Sequence, residues 1–408
     1  MKKTLLALAL GFLLFPAVAQ TKAKKAIFII VDGIPADVVD SVPTPNIDQI
    51  AKVGGFTTAV MGGDVGTYSQ TPTISAVGYN SMLTGVWANK HNVWGNGIED
   101  PNYQYWTIFR AFKEANPGKK TAIFSTWLDN RTKLLGDKLP QTGHFSPDYY
   151  FDGFELDTVN FPPQKDRSHF HLIDETVSKE AARYIHEKAP DLSWMYLEYS
   201  DDMGHTYGNS PQMIDGLKKA DIQIGRVWEA IQYREKNFDE DWLIVITTDH
   251  GRTADGFGHG GHSERERTIW IATNGKNLNS HFEDSPEMVD IFPSVAHHLG
   301  LEIPKSQAME LDGASFIGPI DAVDLKAELT DGNFKLTWKS YSTGQTGRVW
   351  ITATNHFKSR GLDNYSLMGE VKLEEGSATF STKGMESDFY KVVLETPAGY
   401  LNYWIVND

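Results

Sequence analysis

Cysteine is absent from all 408 residues of the chain. A disulfide framework, a thiol nucleophile and thiolate metal ligands are therefore excluded, and so is a lipid anchor attached to cysteine. Positive charge is also scarce, because 38 lysine and arginine residues stand against 53 acidic residues, for a formal net charge of −15. Proteins bind nucleic-acid polymers mainly through clustered lysine and arginine, so this balance argues against such a partner.

Long apolar runs are missing as well, except at the N-terminus. There, a basic start precedes an apolar stretch from Leu5 to Leu14 and the small residues Ala17-Val18-Ala19. These are the three parts of a secretory signal peptide, so we predict that residues 1–19 are cleaved and that the protein is periplasmic or secreted. The stretch is too short to span a bilayer, and no later stretch of the sequence is apolar over enough residues to predict a membrane span.

Short apolar runs rich in isoleucine and valine are what the chain does contain. Three of them lead into polar residues: Ala26–Val31, Trp194–Tyr199 and Trp242–Thr248. Such runs are typical of parallel strands that are buried on both faces. Further runs at 121–125 and 268–272, with helical patterns at 213–236 and 289–299, complete an α/β pattern. We predict a mostly parallel sheet sandwiched by helices over residues 20–320.

The pattern changes after Gly318-Pro319. From residue 321 the chain alternates apolar and polar residues, as in Phe334–Trp338, with glycine, asparagine and aspartate between the runs. This alternation predicts a small C-terminal β-sandwich of fibronectin type III character over 321–408. Its aromatic residues are candidates for contact with glycans or a cell surface, although packing explains them equally well. We expect a chain that ends near Pro319 to fold and to hold its metals.

Side chains that bind metals follow the three apolar runs. They are Asp32, Asp201, His205, Asp249, His250 and His259, with His262 as a further histidine in the last loop. Asp201 and His205 are four residues apart, so a short turn after the strand would aim both at one ion. Mixed carboxylate and imidazole ligands suit zinc or manganese better than calcium or magnesium. A lone histidine is more often structural, but this set predicts a binuclear metal site at one edge of the sheet.

A serine is the candidate nucleophile. Ser75 precedes a short helical pattern that ends at Gly85, so we expect it at a helix N-terminus. The helix dipole and the free N–H groups there favour an incoming phosphate and a deprotonated hydroxyl. A serine in this position is also a common helix cap, so either role is open at this point. Thr71 and Thr73 are the neighbouring alcohols.

These motifs, in this order, resemble the nucleotide pyrophosphatase/phosphodiesterase branch of the alkaline phosphatase superfamily over residues 25–315. The shared motifs are Asp32-Gly33, a hydroxyl ahead of Thr84-Gly85, Asp201 to Gly208, Asp249-His250-Gly251 and His259-Gly260. The resemblance implies an alkaline-phosphatase-like fold with two zinc ions, one bound by Asp32, Ser75, Asp249 and His250 and the other by Asp201, His205 and His259. It also implies hydrolysis of phosphodiester or pyrophosphate bonds in small phosphate esters through a phosphoseryl intermediate on Ser75.

Some positions depart from the family's pattern. Nucleotide-cleaving members usually have threonine in a Thr-x-Pro-Asn setting, whereas this chain has Ser75-Ala76-Val77-Gly78. The missing asparagine weakens the expectation of nucleotide specificity and points toward relatives that transfer phosphoethanolamine. Asn96 is a candidate substrate-binding residue for the phosphoryl oxygens, with a plain turn residue as the alternative. His262 competes with His259 for the last ligand position.

Other functions fit parts of the sequence. A phosphomonoesterase or a phosphoethanolamine-type transferase would use the same scaffold, and Lys90 and Arg131 are candidate cations for the doubly charged phosphate of a monoester. A sulfatase needs a Cys/Ser-x-Pro-x-Arg context, but Val77 and Tyr79 occupy the proline and arginine positions. The alternative outside the enzymes is a non-enzymatic surface or glycan-binding protein with a structural metal site.

Overall fold

The computed structural model describes residues 22–381, 383–385 and 387–406. The predicted signal peptide, residues 1–19, lies outside these ranges. Within them, no helix is both long enough and apolar enough to cross a membrane.

A seven-stranded sheet forms the centre of the larger part of the molecule. Its strands are β1 (Ala23–Val31), β2 (Gly55–Val60), β3 (Thr121–Ser125), β4 (Tyr149–Phe151), β5 (Leu192–Leu197), β6 (Glu240–Thr247) and β7 (Thr268–Thr273). Their order is β2-β7-β6-β1-β5-β3-β4. Neighbouring strands are parallel except where β7 pairs antiparallel with β6 and β2. The prediction of a mostly parallel sheet is confirmed.

Strand β1 shows why the apolar runs of the sequence are continuous rather than alternating. Residues 26–31 are all at most 1% exposed. Ala26, Phe28 and Ile30 belong to the core on one face of the sheet, whereas the residues between them belong to the core on the other face. Because successive side chains of a strand point to opposite faces, a sheet covered on both faces requires apolar residues at every position.

Helices cover both faces of this sheet. They are α1 (Ala36–Ser41), α2 (Pro45–Ala51), α3 (Ser75–Thr84), α4 (Ala88–His91), α5 (Ile108–Ala115), α6 (Ser168–Lys188), α7 (Tyr199–Tyr207), α8 (Pro211–Asn237), α9 (Glu264–Arg267), α10 (Ser280–Glu283), α11 (Ile291–Leu299) and α12 (Lys305–Ala308). Helices α3, α5 and α11 pack on one face, and α2, α6 and α8 pack on the other. The two predicted helices at 213–236 and 289–299 correspond to α8 and α11.

One predicted boundary is wrong. The apolar run Trp194–Tyr199 was expected to continue as a strand to Tyr199 and to deliver Asp201 and His205 from a short turn. Strand β5 instead ends at Leu197, and helix α7 begins at Tyr199 with two acidic residues in its first turn. Carboxylates there interact favourably with the positive end of the helix dipole. Asp201 and His205 both lie on this helix, and they are neighbours because they are one helical turn apart.

Two antiparallel sheets form the C-terminal part. Their strands are β8 (Ala322–Thr330), β9 (Asn333–Ser340), β10 (Thr346–Thr352), β11 (Ser366–Lys372), β12 (Ser377–Ser381), β13 (Phe389–Thr396) and β14 (Gly399–Val406). The orders are β12-β9-β8 and β11-β10-β13-β14, and alternate residues of both sheets share one apolar core. The small C-terminal β-sandwich is confirmed. The fibronectin type III assignment and the boundary at residue 320 stay predictions.

Candidate active site

The carboxyl ends of three neighbouring strands bring the predicted ligands together. Strands β6, β1 and β5 are adjacent in the sheet. Asp32 directly follows β1, Asp249 follows β6 after one residue, and Asp201 lies in the first turn of α7 beyond β5. Since the strands are parallel, their carboxyl ends lie at the same edge of the sheet, which is where ligands bind in open α/β folds.

Asp32, Asp249 and His250 form the first group of metal-binding atoms. One ligand atom from each lies within 4.8 Å of the others. The Nε2 atom of His250 is 3.2 Å from Oδ2 of Asp249 and 3.6 Å from Oδ1 of Asp32. Both of these oxygens are buried and have no hydrogen-bond donor. Since a buried carboxylate oxygen normally has a partner, two such oxygens beside an imidazole nitrogen are suited to a cation.

The second group lies beside the first and shares His250 with it. Asp201, His250 and His259 also offer atoms within 4.8 Å of one another. The Nε2 atom of His205 lies 3.0 Å from Nε2 of His259 and 3.2 Å from Oδ2 of Asp201. The structure therefore brings all six predicted carboxylate and imidazole ligands to one place.

The three histidines have the same orientation toward this place. Each uses Nδ1 to donate a hydrogen bond to a backbone carbonyl: His250 to Gly251 at 2.9 Å, His205 to Phe257 at 2.9 Å and His259 to Thr73 at 2.9 Å. A carbonyl oxygen can only accept, so Nδ1 carries the proton and Nε2 is the atom left to bind a cation. Metal-binding histidines are usually oriented in this way.

His262, the competitor of His259, is placed differently. Its Nε2 atom is 2.9 Å from Nε2 of Gln70. It belongs to neither group of metal-binding atoms found among the described residues. The side chain of His259 instead lies against that of His250, with ring centroids 3.7 Å apart. The geometry therefore favours His259 as the last ligand.

Ser75 begins helix α3 and lies next to the first group. It is 7% exposed, and its Oγ atom is 3.4 Å from Nε2 of His250. The hydroxyls of the two neighbouring threonines already make hydrogen bonds to the backbone. Thr71 donates to the carbonyl of Ser69 and accepts from Ala88 N–H, while Thr73 bridges the backbone of residues 260 and 261. Of these three alcohols, Ser75 is the one placed to attack a bound phosphate.

Asn96 lies at the start of the same helix. Its Oδ1 atom accepts a hydrogen bond from Ala76 N–H at 3.0 Å. One of the helix N–H groups is therefore already occupied. The amide nitrogen of Asn96 has no partner among the described residues, and the side chain is exposed. Because the amide is held by its oxygen, its NH₂ group is left as a donor.

Two tyrosines in the site were not predicted from the sequence. The hydroxyl of Tyr196 donates to Oδ2 of Asp32 at 2.7 Å, and the hydroxyl of Tyr79 donates to the same oxygen. Both side chains are buried. Tyr79 follows Ser75 by one helical turn, and this spacing is the signal that could have identified it. Together they leave only Oδ1 of Asp32 for a cation.

Arg252 was also missed, although it follows Asp249-His250-Gly251 directly. It is fully buried, and its Nη2 atom forms an ion pair with Oδ1 of Asp201. The remaining guanidinium N–H groups donate to the carbonyl oxygens of Gly33 at 2.8 Å, Gly256 at 3.2 Å and Asp201 at 2.7 Å. From the sequence alone an arginine at this position would be expected at the surface. Its burial could not be predicted, because Gly33 and Asp201, which it contacts, are distant along the chain.

Burial and like charge shift the pKa values of the first group. Burial raises the pKa of Asp32 well above its ordinary value, and the charges of Asp249 and Asp201 add to this. Burial raises the pKa of Asp249 to about 7, again with a contribution from Asp201. Burial lowers the pKa of His250, as does the nearby His259. Two carboxylates this close favour either a shared proton or a bound cation.

The second group behaves differently because it contains positive charge. Burial acts to raise the pKa of Asp201, but the hydrogen bond from His205 and the charge of Arg252 outweigh it and keep the pKa below its ordinary value. The contact with Asp201 raises the pKa of His205. A cation that binds there would displace the proton from Nε2 of His205.

The two cations proposed for a monoester are committed elsewhere. Lys90 is buried and donates to the carbonyl of Glu310 at 2.8 Å and to Asn402 at 3.1 Å. Arg131 pairs with Asp152 at 2.7 Å, and its guanidinium stacks over Tyr150. The expectation that either would serve as a free cation for substrate is therefore wrong.

Comparison with known proteins identifies one matching family. The family model described as type I phosphodiesterase/nucleotide pyrophosphatase matches residues 26–256, which is more than half of the chain. The match includes Asp32, Ser75, Asp201, His205 and Asp249-His250, and it ends three residues before His259.

Curated relatives are more distant. Human ectonucleotide pyrophosphatase/phosphodiesterase family member 5 is 25% identical over 250 residues, which cover 57% of this chain and 46% of that protein. GPI ethanolamine phosphate transferase 2 of Schizosaccharomyces pombe is 31% identical over 121 residues, which cover 26% of this chain and 16% of that protein. The chain thus spans less than half the length of either relative.

Solved structures share the fold. A phosphonate monoester hydrolase of Agrobacterium radiobacter superposes with a TM-score of 0.50 at 14% identity, over 94% of this chain and 89% of that chain. At this identity the likeness shows the architecture alone.

Proposed function

The chain belongs to the type I phosphodiesterase/nucleotide pyrophosphatase family, and we propose on that premise that it hydrolyses phosphodiester or pyrophosphate bonds in small phosphate esters. The observation that carries the proposal is the position of Ser75. Its hydroxyl lies at a helix N-terminus and 3.4 Å from His250, beside two groups of metal-binding atoms. Ser75 does not cap the helix, because the N-cap residue is Ile74 and no side chain caps this end.

The donor set fits two zinc ions, with manganese as the alternative. Asp32, Ser75, Asp249 and His250 would hold one ion, and Asp201, His205 and His259 would hold the other. The unpartnered buried oxygens of Asp32 and Asp249 and the oriented Nε2 atoms support this assignment. Bound there, the ions would lower the pKa of a hydroxyl and stabilise negative charge on phosphoryl oxygens.

Ser75 is the nucleophile in this proposal. Its hydroxyl gives up its proton to solvent, its oxygen forms a bond to phosphorus while the bond from phosphorus to the leaving oxygen breaks, and the leaving group takes up a proton from solvent. Water then attacks the phosphoseryl intermediate, which releases phosphate ester and restores the hydroxyl. Asn96 donates through its free NH₂ group to a non-bridging oxygen, because Ala76 N–H holds its Oδ1 atom in place.

A diester or pyrophosphate is favoured over a monoester. A terminal phosphate carries an additional negative charge, which a monoesterase usually meets with a cationic side chain. Lys90, Arg131 and Arg252 are all paired with other groups. The donors at the start of helix α3 are neutral, namely its N–H groups and the amide of Asn96, and the nearby Lys133, which contacts the carbonyl of Gly97, is paired with Asp129. Neutral donors suit the single charge of a diester.

Transfer to an alcohol is the second candidate reaction. The residues after Ser75 lack the asparagine of nucleotide-cleaving members, and one relative is an ethanolamine phosphate transferase. An alcohol would then replace water in the attack on phosphoserine. The same intermediate serves both reactions, so product analysis separates them.

Export and surface contact are further parts of the proposal. We infer that residues 1–19 direct the chain to the periplasm or to the outside of the cell. The role of the C-terminal sandwich in contact with glycans or a cell surface stays a prediction. Trp338 and Trp404 are each 6% exposed, so they are committed to packing and are unavailable for sugar stacking.

A substrate panel tests the proposed function. The purified protein, loaded with zinc or manganese, is assayed with an aryl phosphodiester, an aryl monoester and a nucleoside diphosphate, with and without ethanolamine as acceptor. We expect the diester to be cleaved at least tenfold faster than the monoester, and chelation to abolish the reaction. Equal rates on both esters would exclude a diesterase, and a protein that binds metal without any turnover would support the non-enzymatic alternative.

A further inference from the structure

Arg252 gives one half of the site a positive charge that the other half lacks. Its guanidinium is fully buried and contacts Oδ1 of Asp201, the carboxylate of the second group. One oxygen of Asp201 is therefore occupied, and its negative charge is neutralised. Only Oδ2, which is 3.2 Å from His205, faces the other ligands of this group.

Two glycines of the metal-ligand motifs leave space for this guanidinium. A Cβ atom on Gly204 would collide with the guanidinium group of Arg252. A Cβ atom on Gly33 would collide with Oδ1 of Asp201 and would lie 2.8 Å from Nη2 of Arg252. The pair of Arg252 and Asp201 is thus accommodated by glycines on two separate segments, each close in sequence to a proposed metal ligand.

The first group contains two carboxylates and no cation. Asp32 accepts hydrogen bonds from two tyrosine hydroxyls, and Oδ1 of Asp249 accepts from Gly33 N–H at 3.0 Å. These donors are neutral. A cation in the first group would therefore meet two carboxylates with no positive side chain beside them, whereas the carboxylate of the second group is balanced by Arg252.

We propose that Arg252 makes the two halves of the site unequal, so that the half with Asp32, Asp249 and His250 binds a divalent cation tightly and the half with Asp201, His205 and His259 binds a second one weakly. The inference rests on the proposed function, because it takes the two groups to be metal sites. One ion would stay with the protein on dilution, and activity would follow the free concentration of the second.

Metal titration of the metal-free protein tests whether the two groups bind with unequal affinity. Chelator-treated protein is dialysed against increasing Mn²⁺ or Zn²⁺, and bound metal is measured by elemental analysis. We expect two separate steps with dissociation constants that differ on the order of 100-fold, because a full unit of charge a few ångströms from a divalent ion is worth at least this ratio. Two equal sites, or one cooperative step, would overturn the inference.

Variants of Arg252 separate charge from structure. Arg252→Gln keeps hydrogen-bond donors but loses the charge, so the weak step should become at least tenfold tighter. Arg252→Lys keeps the charge and should preserve the separation. Arg265→Gln is the matched control, because Arg265 pairs with Asp37 and the carbonyl of Thr253 instead of a metal ligand. A weak step unchanged in Arg252→Gln would contradict the proposal.

Ligand variants assign the steps and remain decisive if Arg252→Gln does not fold. His259→Ala should remove the weak step and leave the tight one, and Asp249→Asn should remove the tight step. Loss of the tight step in His259→Ala would overturn the inference. Failure of the proposed function looks different, because then no stoichiometric metal binds or no ester is cleaved, whereas failure of the inference leaves two bound ions of equal affinity.

Discussion

At the scale of single residues, the site contains carboxylates whose charges repel and side chains that reduce this repulsion. Tyr79 and Tyr196 donate to Asp32, while Arg252 pairs with Asp201. Ser75 is the one alcohol of its segment that is not engaged by the backbone. Single substitutions of these residues therefore test the role proposed for Ser75 and the effect of the buried charges on stability.

Replacing Ser75 by alanine should abolish turnover without unfolding the protein. Loss of a covalent nucleophile costs several orders of magnitude in rate, whereas Ser75 makes no capping hydrogen bond whose loss would destabilise the helix. Single-turnover assays and thermal melts measure the two effects. Ser75→Thr keeps a hydroxyl and should retain partial activity. Near-normal turnover of the alanine variant, or phosphate trapped on Thr71 or Thr73, would move the nucleophile elsewhere.

The metal-free protein should become less stable as pH rises. The pKa of Asp249 is raised to about 7 by burial, from an ordinary value of 3.8. A group with a raised pKa in the folded state stabilises the fold fully below its unfolded pKa, and this stability is lost as pH rises through the folded pKa. We expect a loss of roughly 4 kcal/mol between pH 4 and pH 8.

Chemical denaturation of the chelated protein across this pH range measures the loss. Asp249→Asn should show a clearly smaller decrease. Asp174→Asn is a useful comparison, because burial also raises the pKa of Asp174 to about 7 although it lies outside both metal-binding groups. An Asp249→Asn variant with the same pH dependence as the wild type would show that Asp249 is ionised throughout.

At the scale of elements, helix α7 and the segment before α3 position the ligands. Helix α7 presents Asp201 and His205 from one turn, with Gly204 against Arg252. The segment before α3 contacts the ligand loop through Thr73, whose carbonyl accepts from His259 and whose hydroxyl contacts the backbone of residues 260 and 261. These elements place Ser75, the proposed nucleophile, close to the histidines of the site.

Gly204→Ala should destabilise the protein even though alanine is the better helix former. Helix propensity alone would favour alanine by about 1 kcal/mol. The added methyl collides with the guanidinium of Arg252, and overpacking of this kind costs about 1–3 kcal/mol. We therefore expect a lower melting temperature and weaker binding of metal. A variant as stable as the wild type would show that Arg252 can move without cost.

At the scale of the whole molecule, a buried ion network joins the sandwich to the larger part. Lys391 of β13 is fully buried and pairs with Glu310 and with Asp363, each at 2.8 Å. Lys90 contacts Asn402 of β14 at 3.1 Å, and Tyr68 stacks on a tryptophan of the same strand. A chain that ends near Pro319 would leave Glu310 buried without Lys391, whereas Lys90 would lose Asn402 but keep Asp312 and the carbonyl of Glu310. That such a chain folds stays a prediction, and we expect it to be less stable than the whole protein.

Lys391→Met should destabilise the whole protein. It would leave the carboxylates of Glu310 and Asp363 buried without their cation, and breaking a buried pair in this way costs about 3–5 kcal/mol. Lys305→Met is the matched control, because Lys305 is half exposed in its pair with Glu395 and should contribute less than about 1 kcal/mol. Denaturation midpoints measure both. Equal effects of the two substitutions would show that the network does not join the two parts.

The sequence by itself determined most strands of the large sheet, the helices α8 and α11, the types of candidate metal-binding residue and the serine at the start of α3. These features are local, because burial on one or both faces leaves a periodic pattern and a helix start has its own residue preferences. Only the tertiary structure brought Arg252 to Asp201, two tyrosines to Asp32, and His259 rather than His262 to His250, and paired Lys90 and Arg131 with other groups. The physical reason is that these contacts join segments far apart in sequence. The order of strands and the packing of loops decide which distant side chains meet, and no local pattern records that choice.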